Sequence, residues 1–357
     1  MTIESAPRPR RLHGLDWIRG IAALWVWSYH LDITLQKGKY FGLPELSTLT
    51  SVGYRGVDLF FVLSGFVMAR MYRRDDDHPA RAAGRFVVRR VLRIYPAYVV
   101  VFLPMFLVAA LTGLGAPVSE PVGASLFVRD LLLLPRDDLT TYVPVSAWTL
   151  THELMFYLLF GVAFLSHRLF TGLLALWAAI CLGCAAGGVA PAGWAMVLSP
   201  LNAYFLCGYL CAYVPEMTGT QRRLAAGVAL AALACGVLGE HRFAVAAEGR
   251  IGAPAWVNAA YAVGFFLVVL AMAQAPAVSG RQPGRTLDYL GRLSYGIYLV
   301  NYPLVVACAT VAKRLHAGSL ALPAVACSSL AATLLVAHAL NRWAEEPGIR
   351  LGQRILR

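Results

Sequence analysis

The sequence predicts an all-α, polytopic membrane bundle, and three observations carry that prediction. Hydrophobic residues make up 59% of the 357-residue chain and charged residues only 14%, with a mean hydropathy of +0.62, far from the balance of a water-soluble domain. About ten apolar runs approach the length needed to cross roughly 30 Å of hydrocarbon: 15–35, 57–72, 86–111, 147–166, 169–189, 195–214, 223–239, 255–275, 289–311 and 320–341. The basic residues between them alternate. With a cytoplasmic N-terminus, 21 of the 31 Lys and Arg fall on the cytoplasmic side and 9 outside, Arg19 lying within the first run, which is the positive-inside pattern. Ten spans with both termini cytoplasmic satisfy it, whereas an eleventh would put the basic C-terminus outside. The chain then divides into a basic tail (1–14), a transmembrane domain (15–343) and a short C-terminal tail (344–357).

The first run, LDWIRGIAALWVWSYHLDITL, follows the basic tail MTIESAPRPRRLHG without a small-residue cleavage site, so it reads as a retained helix. The second is short, and Asp58 near its start caps the helix or stands at the outer level. The third opens with RFVVRRVLRIYPAY, which sets Arg90 and Arg93 one turn apart. At the cytoplasmic start of a span, guanidinium forks and a helix N-terminus together favour phosphate; the plainer reading is a positive-inside anchor. The segment Arg70–Arg93 is then cytoplasmic, and Thr112–Ser146, with Asp130, Asp137 and Asp138, faces out. The fourth run carries Trp148, His152 and Glu153, and the ninth Tyr295, Tyr298 and Asn301; the two tyrosines read as packing or interfacial aromatics.

Ionisable residues inside spans are costly and default to functional candidates. Arg19 and His30 are eleven residues apart, which on a helix returns them to within about 20° of one face and separates them by about 16 Å. Glu153 lies about 10 Å into its span from the outer side, and His30 about 8 Å from the outer end of the first helix. The two can share a depth, and a buried carboxylate calls for an imidazole or Arg partner. His152 points about 100° away from Glu153 and reads as a bystander.

Other chemistries find no pattern. Of the 31 basic residues only Lys37, Lys39 and Lys313 are lysines. The net charge of +12 is mostly topological, and no aromatic-interleaved basic patch suggests nucleic acid. The seven cysteines all lie in apolar runs, where Cys behaves as a small hydrophobe; neither a metal site nor a disulfide framework is expected. His152-Glu153 lacks the second His of a zinc-protease helix. There is no phosphate-binding Gly-Lys loop and no Gly-x-Ser-x-Gly elbow.

Taken in order, LDWIRGIAALWVWSYH, YRGVDLFFVLSGFVMAR, RFVVRRVLRIYPAY, SAWTLTHELMFYLLF, LGRLSYGIYLVNYPL and RWAEEPGIR resemble the membrane acyltransferases of family 3, over about residues 12 to 350. The Trp-Thr-Leu-Thr-His-Glu stretch is most similar to the exopolysaccharide O-acetyltransferase branch. The resemblance implies that Arg19 and His30 are the family's first-helix pair, that Arg90 and Arg93 match its Arg-x-x-Arg, and that Glu153 is the acid following its tryptophan, here Trp148. It further implies that Asp58, Ser64 and Gly65 form the second-helix signature and Glu346-Pro347 the closing Glu-Pro. Asn301 stands where many relatives have His. Asn hydrogen-bonds but does not titrate near neutrality, so it is expected to support and not to move protons. No C-terminal hydrolase-like domain follows, so the chain is expected to act alone or to pass its acyl group to a partner.

The function implied is O-acyl transfer, most simply O-acetyl transfer from cytoplasmic acetyl-CoA to a hydroxyl of a surface polysaccharide or a lipid-linked sugar, at a bacterial inner membrane and with a homo-oligomer open. His30, Glu153 and Arg19 are the catalytic candidates, Arg90 and Arg93 hold the coenzyme, Asp58, Ser64, Trp148 and Asn301 support, and no metal takes part. A transporter or flippase using the same polar residues, and acyl transfer to a periplasmic glucan or a macrolide-like small molecule, are the alternatives.

Overall fold

A computed structural model describes residues 13–72, 78–113, 115, 120–138, 141–189, 191–243, 254–275 and 284–355. The predicted tail before His13, residues 73–77 of the Arg70–Arg93 segment, and Arg281 lie outside the described residues. The helices are α1 (His13–Gln36), α2 (Thr48–Ser51), α3 (Gly56–Met71), α4 (Pro79–Thr112), α5 (Ala124–Leu131), α6 (Ala147–Leu165), α7 (His167–Ala186), α8 (Ala203–Cys211), α9 (Gly219–Phe243), α10 (Ala255–Ala273), α11 (Arg285–Arg314), α12 (Ala321–Leu340) and α13 (Glu346–Ile355). No strand occurs among the described residues.

Nine of the ten predicted runs fall on single helices, but seven helical stretches, not ten, are long and apolar enough to cross a membrane: α4, α6, α7, α9, α10, α11 and the continuous Ala321–Ile355. With 24 residues, α1 spans about 36 Å, but Asp16, Arg19, His30 and Asp32 dilute its apolar character. The 16 residues of α3 cover about 24 Å and the nine of α8 about 14 Å. The expected span at 195–214 is therefore not one helix. Turns and a 3₁₀ turn at Pro200–Asn202 precede α8. Gly193 adopts φ 82°, and Pro191 and Pro200 lack the N–H that would extend a helix backward.

Lipid offers no hydrophobic drive for helices to associate, so tight packing relies on small residues that let backbones meet. Where α3 crosses α8, a Cβ at Gly65 would lie 2.1 Å from the Phe205 carbonyl oxygen, and one at Gly208 would lie 1.8 Å from that of Val62. Next to that crossing Phe156 stacks on Phe205 at 4.3 Å. α1 packs along α11, running parallel to it: Asp16 meets Gly291 and His30 meets Asn301. Outward-facing leucines such as Leu158, Leu230 and Leu335 are exposed, as a lipid-facing surface requires.

The end of the bundle where α1 starts is called proximal here, and the end where it finishes distal. Asp32, fully buried, ties α1 to the distal loop by accepting from Leu46 N–H at 3.1 Å and from the Thr50 hydroxyl at 2.5 Å. A second distal tie joins α5 to the loop ahead of α6. There Arg136 pairs with Asp130 and, at 3.0 Å, with Glu120, and Asp130 also accepts the Val143 N–H at 3.1 Å.

Candidate active site

The polar residues of the bundle surround two adjoining cavities. The smaller, about 60 Å³, lies among α1, α3, α6 and α11 and is lined by Arg19, Ser64, Glu153, Ser294 and Tyr295 among others. Ser64 donates to Glu153 at 3.3 Å, and Tyr157, one turn further along α6, donates to the same carboxylate oxygen. The Arg19 Nε is buried without a hydrogen-bond partner, and its charge is within reach of Arg93 and Glu153. Arg90 is buried beneath the rings of Phe86 and Tyr157, at 5.2 and 5.4 Å. Glu345, in the π-helical turn Asn341–Glu345, faces the charges of Arg93 and Arg19. Three guanidinium groups thus lie near three carboxylates, those of Glu153, Glu345 and Asp16. A buried cation is costly unless paired, and these carboxylates meet that need.

The larger cavity, about 1050 Å³, occupies the distal half of the bundle and is lined by His30, Tyr29, Tyr54, Trp148, Tyr204 and Tyr302, with an apolar wall from α7, α8 and α10. Val57 and Tyr298 line both cavities. The His30 ring lies 4.9 Å from that of Tyr302, and its Nδ1 hydrogen-bonds the Asn301 side-chain oxygen. The Asn301 amide nitrogen donates to the carbonyls of Ile297, at 2.9 Å, and Tyr298, at 2.8 Å. Asn301 therefore turns its oxygen toward the ring, an oxygen that only accepts. Nδ1 must carry the proton, leaving Nε2 as the basic nitrogen.

Several expectations are corrected by this geometry. Glu153 does not take the place expected beside His30: its hydrogen bonds go to Ser64 and Tyr157, and Asn301 holds the imidazole. A common depth on two helices fixes height, not azimuth, and Glu153 turns toward α3. Arg90 and Arg93 are not at a helix N-terminus, because α4 starts at Pro79 and Arg90 lies about 16 Å along it; the dipole fades within the first turn. Asp58 lines neither cavity, although its neighbour Val57 lines both. It is fully buried and pairs at 3.0 Å with Arg55, itself fully buried. Arg55 also reaches Glu240 through Nε at 2.9 Å and Asn258 at 2.9 Å, and lies 4.4 Å from the Tyr261 ring, whose hydroxyl donates to Glu240.

Of the other predicted residues, Ser64 stands with Arg19 and Glu153, and Trp148 stands with His30. His152 is buried against Asn202 at 2.8 Å and packs on Trp148. Tyr295 donates to the Ile94 carbonyl at 2.9 Å and Tyr298 to that of Ser146 at 3.3 Å, so both tyrosines pack and also line cavity wall. Sequence reasoning passed over Arg55, Glu240 and Tyr157. The first two carried a signal, since opposite charges at the edges of apolar runs need partners. Among the described residues no cluster of His, Cys, Asp or Glu could hold a metal ion.

A polytopic helical protein with a buried arginine cluster next to a histidine-lined chamber, the two sharing Val57 and Tyr298 as lining, fits the class of integral-membrane group-transfer enzymes. The family described as "Acyltransferase domain" matches residues 12–342, and the chain belongs to that membrane acyltransferase family; it is an enzyme that transfers acyl groups. It is 33% identical over 162 residues to "Protein 2 in picA locus" of Rhizobium radiobacter, covering 41% of this chain and 79% of that protein. It is 32% identical to the acyltransferase MdmB of Streptomyces mycarofaciens, over 43% of this chain and 39% of that protein. A Bacillus subtilis (strain 168) protein provisionally named a peptidoglycan O-acetyltransferase, YrhL, is 30% identical over 43% of this chain and 20% of its own length. The matched part is thus less than half of the latter two relatives. No solved structure gives a significant match.

Proposed function

We propose that the protein carries an acyl group, in the simplest case acetyl, from cytoplasmic acyl-CoA to a glycan hydroxyl at a bacterial inner membrane, with the proximal end cytoplasmic. The single observation that carries this reading is the meeting of two unlike cavities at Val57 and Tyr298. One, lined by Arg19 with Arg90 and Arg93 near it, offers guanidinium groups to a phosphorylated donor; the other offers a basic imidazole nitrogen among aromatic rings suited to a sugar. Arg19 and His30 are about 16 Å apart along α1, comparable to an extended phosphopantetheine arm. That separation gives Arg19 the donor and not the reacting carbonyl.

His30 Nε2 takes the proton of the acceptor hydroxyl as its oxygen attacks the thioester carbonyl. The tetrahedral intermediate collapses, the carbon–sulfur bond breaks, and the departing sulfur takes the proton from Nε2. Ester and coenzyme A thiol result, with no net change at His30. Throughout, Asn301 holds Nδ1–H and so keeps Nε2 as the base. Glu153, held by Ser64 and Tyr157, balances the charge of Arg19 and keeps its side chain in the donor cavity.

The test is binding of coenzyme A to the purified protein, followed by transfer of radiolabelled acetyl from acetyl-CoA to membrane glycans in the absence of any ion gradient. Binding and transfer, both intact without a gradient, are the expected result. Substrate movement without acyl transfer would make the protein a transporter.

A further inference from the structure

Acyl transfer with His30 as base leaves one charge unmet. When the acceptor oxygen adds to the thioester carbonyl, negative charge gathers on the carbonyl oxygen, and a hydrogen-bond donor aimed at that point is often the largest single aid to such a reaction. The groups already assigned cannot supply it. Asn301 is committed to Nδ1 of His30, Nε2 carries the travelling proton, a Glu153 carboxylate only accepts, and Arg19 stands about 16 Å from His30 along α1. The carbonyl has to lie between the donor cavity and His30, so its partner belongs on the wall that the two cavities share. Val57 and Tyr298 make that wall, and of the two only Tyr298 carries a donor.

Tyr298 is buried, and its ring meets that of Phe60 edge-on at 6.1 Å, which holds the phenol in one direction. Its main-chain carbonyl accepts the Asn301 amide at 2.8 Å. Asn301 lies three residues further along α11, a rise of about 4.5 Å, so Tyr298 stands just on the donor side of the level at which His30 is held. Its hydroxyl donates to the Ser146 carbonyl at 3.3 Å, long for an O–H donor, and rotation about the C–O bond redirects that proton. Tyr54 and Tyr204 line the chamber, but their hydroxyls donate to Glu240 and to the Asn258 carbonyl, and neither residue lines the donor cavity. We infer that Tyr298 is a catalytic residue whose hydroxyl donates to the thioester carbonyl oxygen and holds the negative charge of the tetrahedral intermediate. The inference rests on the acyl-transfer reading above and adds a residue to it. The proton stays on the phenol oxygen throughout. As the carbon–sulfur bond breaks, the oxyanion's electron pair returns to the carbonyl double bond, and the sulfur takes its proton from His30 Nε2. In the low-dielectric interior of the bundle such a hydrogen bond is stronger than in water.

The experiment uses the full chain in lipid nanodiscs, with radiolabelled acetyl-CoA as donor and host-membrane glycans as acceptor. Y298F keeps the ring and removes the donor. It should lower kcat by about 10²- to 10³-fold, the usual cost of one oxyanion donor, with KM for acetyl-CoA and calorimetric binding of coenzyme A unchanged. Trifluoroacetonyl-coenzyme A, whose hydrated ketone copies the tetrahedral centre, separates this role from packing. Y298F should bind that analogue about tenfold more weakly than wild type or worse. A ring-fluorinated tyrosine placed at position 298 alone, of nearly the same shape but a stronger donor, should bind it more tightly, and both variants should bind coenzyme A as wild type does. Analogue affinity that follows neither substitution, or wild-type turnover in Y298F, would overturn the role of Tyr298 while acyl transfer stands. Wild-type protein that binds coenzyme A but transfers no acetyl would overturn the acyl-transfer reading, and this role with it.

Discussion

Asn301 fixes which nitrogen of His30 can act as a base. Its amide donates to two carbonyls of its own helix, so its oxygen is presented to Nδ1–H. N301L should keep the fold, because the site is buried among apolar neighbours, but release the tautomer. Turnover should fall by about 10- to 100-fold, below the 10²- to 10⁴-fold loss expected for H30A, with coenzyme A affinity unchanged. Steady-state kinetics beside calorimetry checks this; wild-type turnover in N301L would remove Asn301 from the mechanism.

Arg93 stands with Arg19 and Arg90 in a cluster faced by the carboxylates of Glu153, Glu345 and Asp16. R93A should weaken coenzyme A binding by roughly 10- to 100-fold, the equivalent of one charge-assisted hydrogen bond of about 1.5–3 kcal/mol. R90A should act in the same direction and also loosen the packing of Phe86 and Tyr157. Calorimetric titration measures both, and an unchanged R93A affinity would leave these residues as topology anchors.

Glu240 is a structural partner, not part of the site. E240A would leave buried Arg55 with Asp58 and Asn258 as its polar partners, a loss of about 3–5 kcal/mol for breaking a buried pair. Its melting temperature in detergent should fall sharply, whereas protein that survives should bind coenzyme A normally. A melting temperature equal to wild type would show that water reaches Arg55.

Burial pushes the Asp130 carboxyl up to about 6, against the opposing pull of Arg136. The folded distal loop therefore binds a proton that the unfolded chain, with its carboxyl near 4, has released. The stability from this group is full below about pH 4 and is lost as pH rises to about 6. D130N should remove that slope, seen as the difference in melting temperature between variant and wild type from pH 4 to pH 7.5. A constant difference across that range would place the Asp130 transition elsewhere.

The charge count predicts an orientation with the proximal end cytoplasmic. Cysteine introduced at Asp137 should react with an impermeant maleimide in intact cells, and cysteine at Arg350 only after lysis, in a background with Cys235 and Cys327 replaced by Ser. The opposite pattern would invert the bundle and move the Arg19 cavity to the outer face.

What the sequence determined by itself is what one helix can encode. Hydropathy fixed the helical class and the place of nearly every helix, and the eleven-residue spacing put Arg19 and His30 on one face, because a 3.6-residue period needs no knowledge of neighbours. The order of motifs pointed to the family that the comparisons then showed. Which partner each buried charge meets was decided only by tertiary structure. Glu153 went to Ser64 and Tyr157 and His30 to Asn301, since depth along an axis leaves rotation about it free. Asp58 found Arg55 one turn away, and Arg55 found Glu240 across 185 residues of chain. The short α8, read as part of a full span at 195–214 from its apolar composition, was cut by the turn at Pro200. Packing sets azimuth and closure, and neither is written in the periodicity of a single helix.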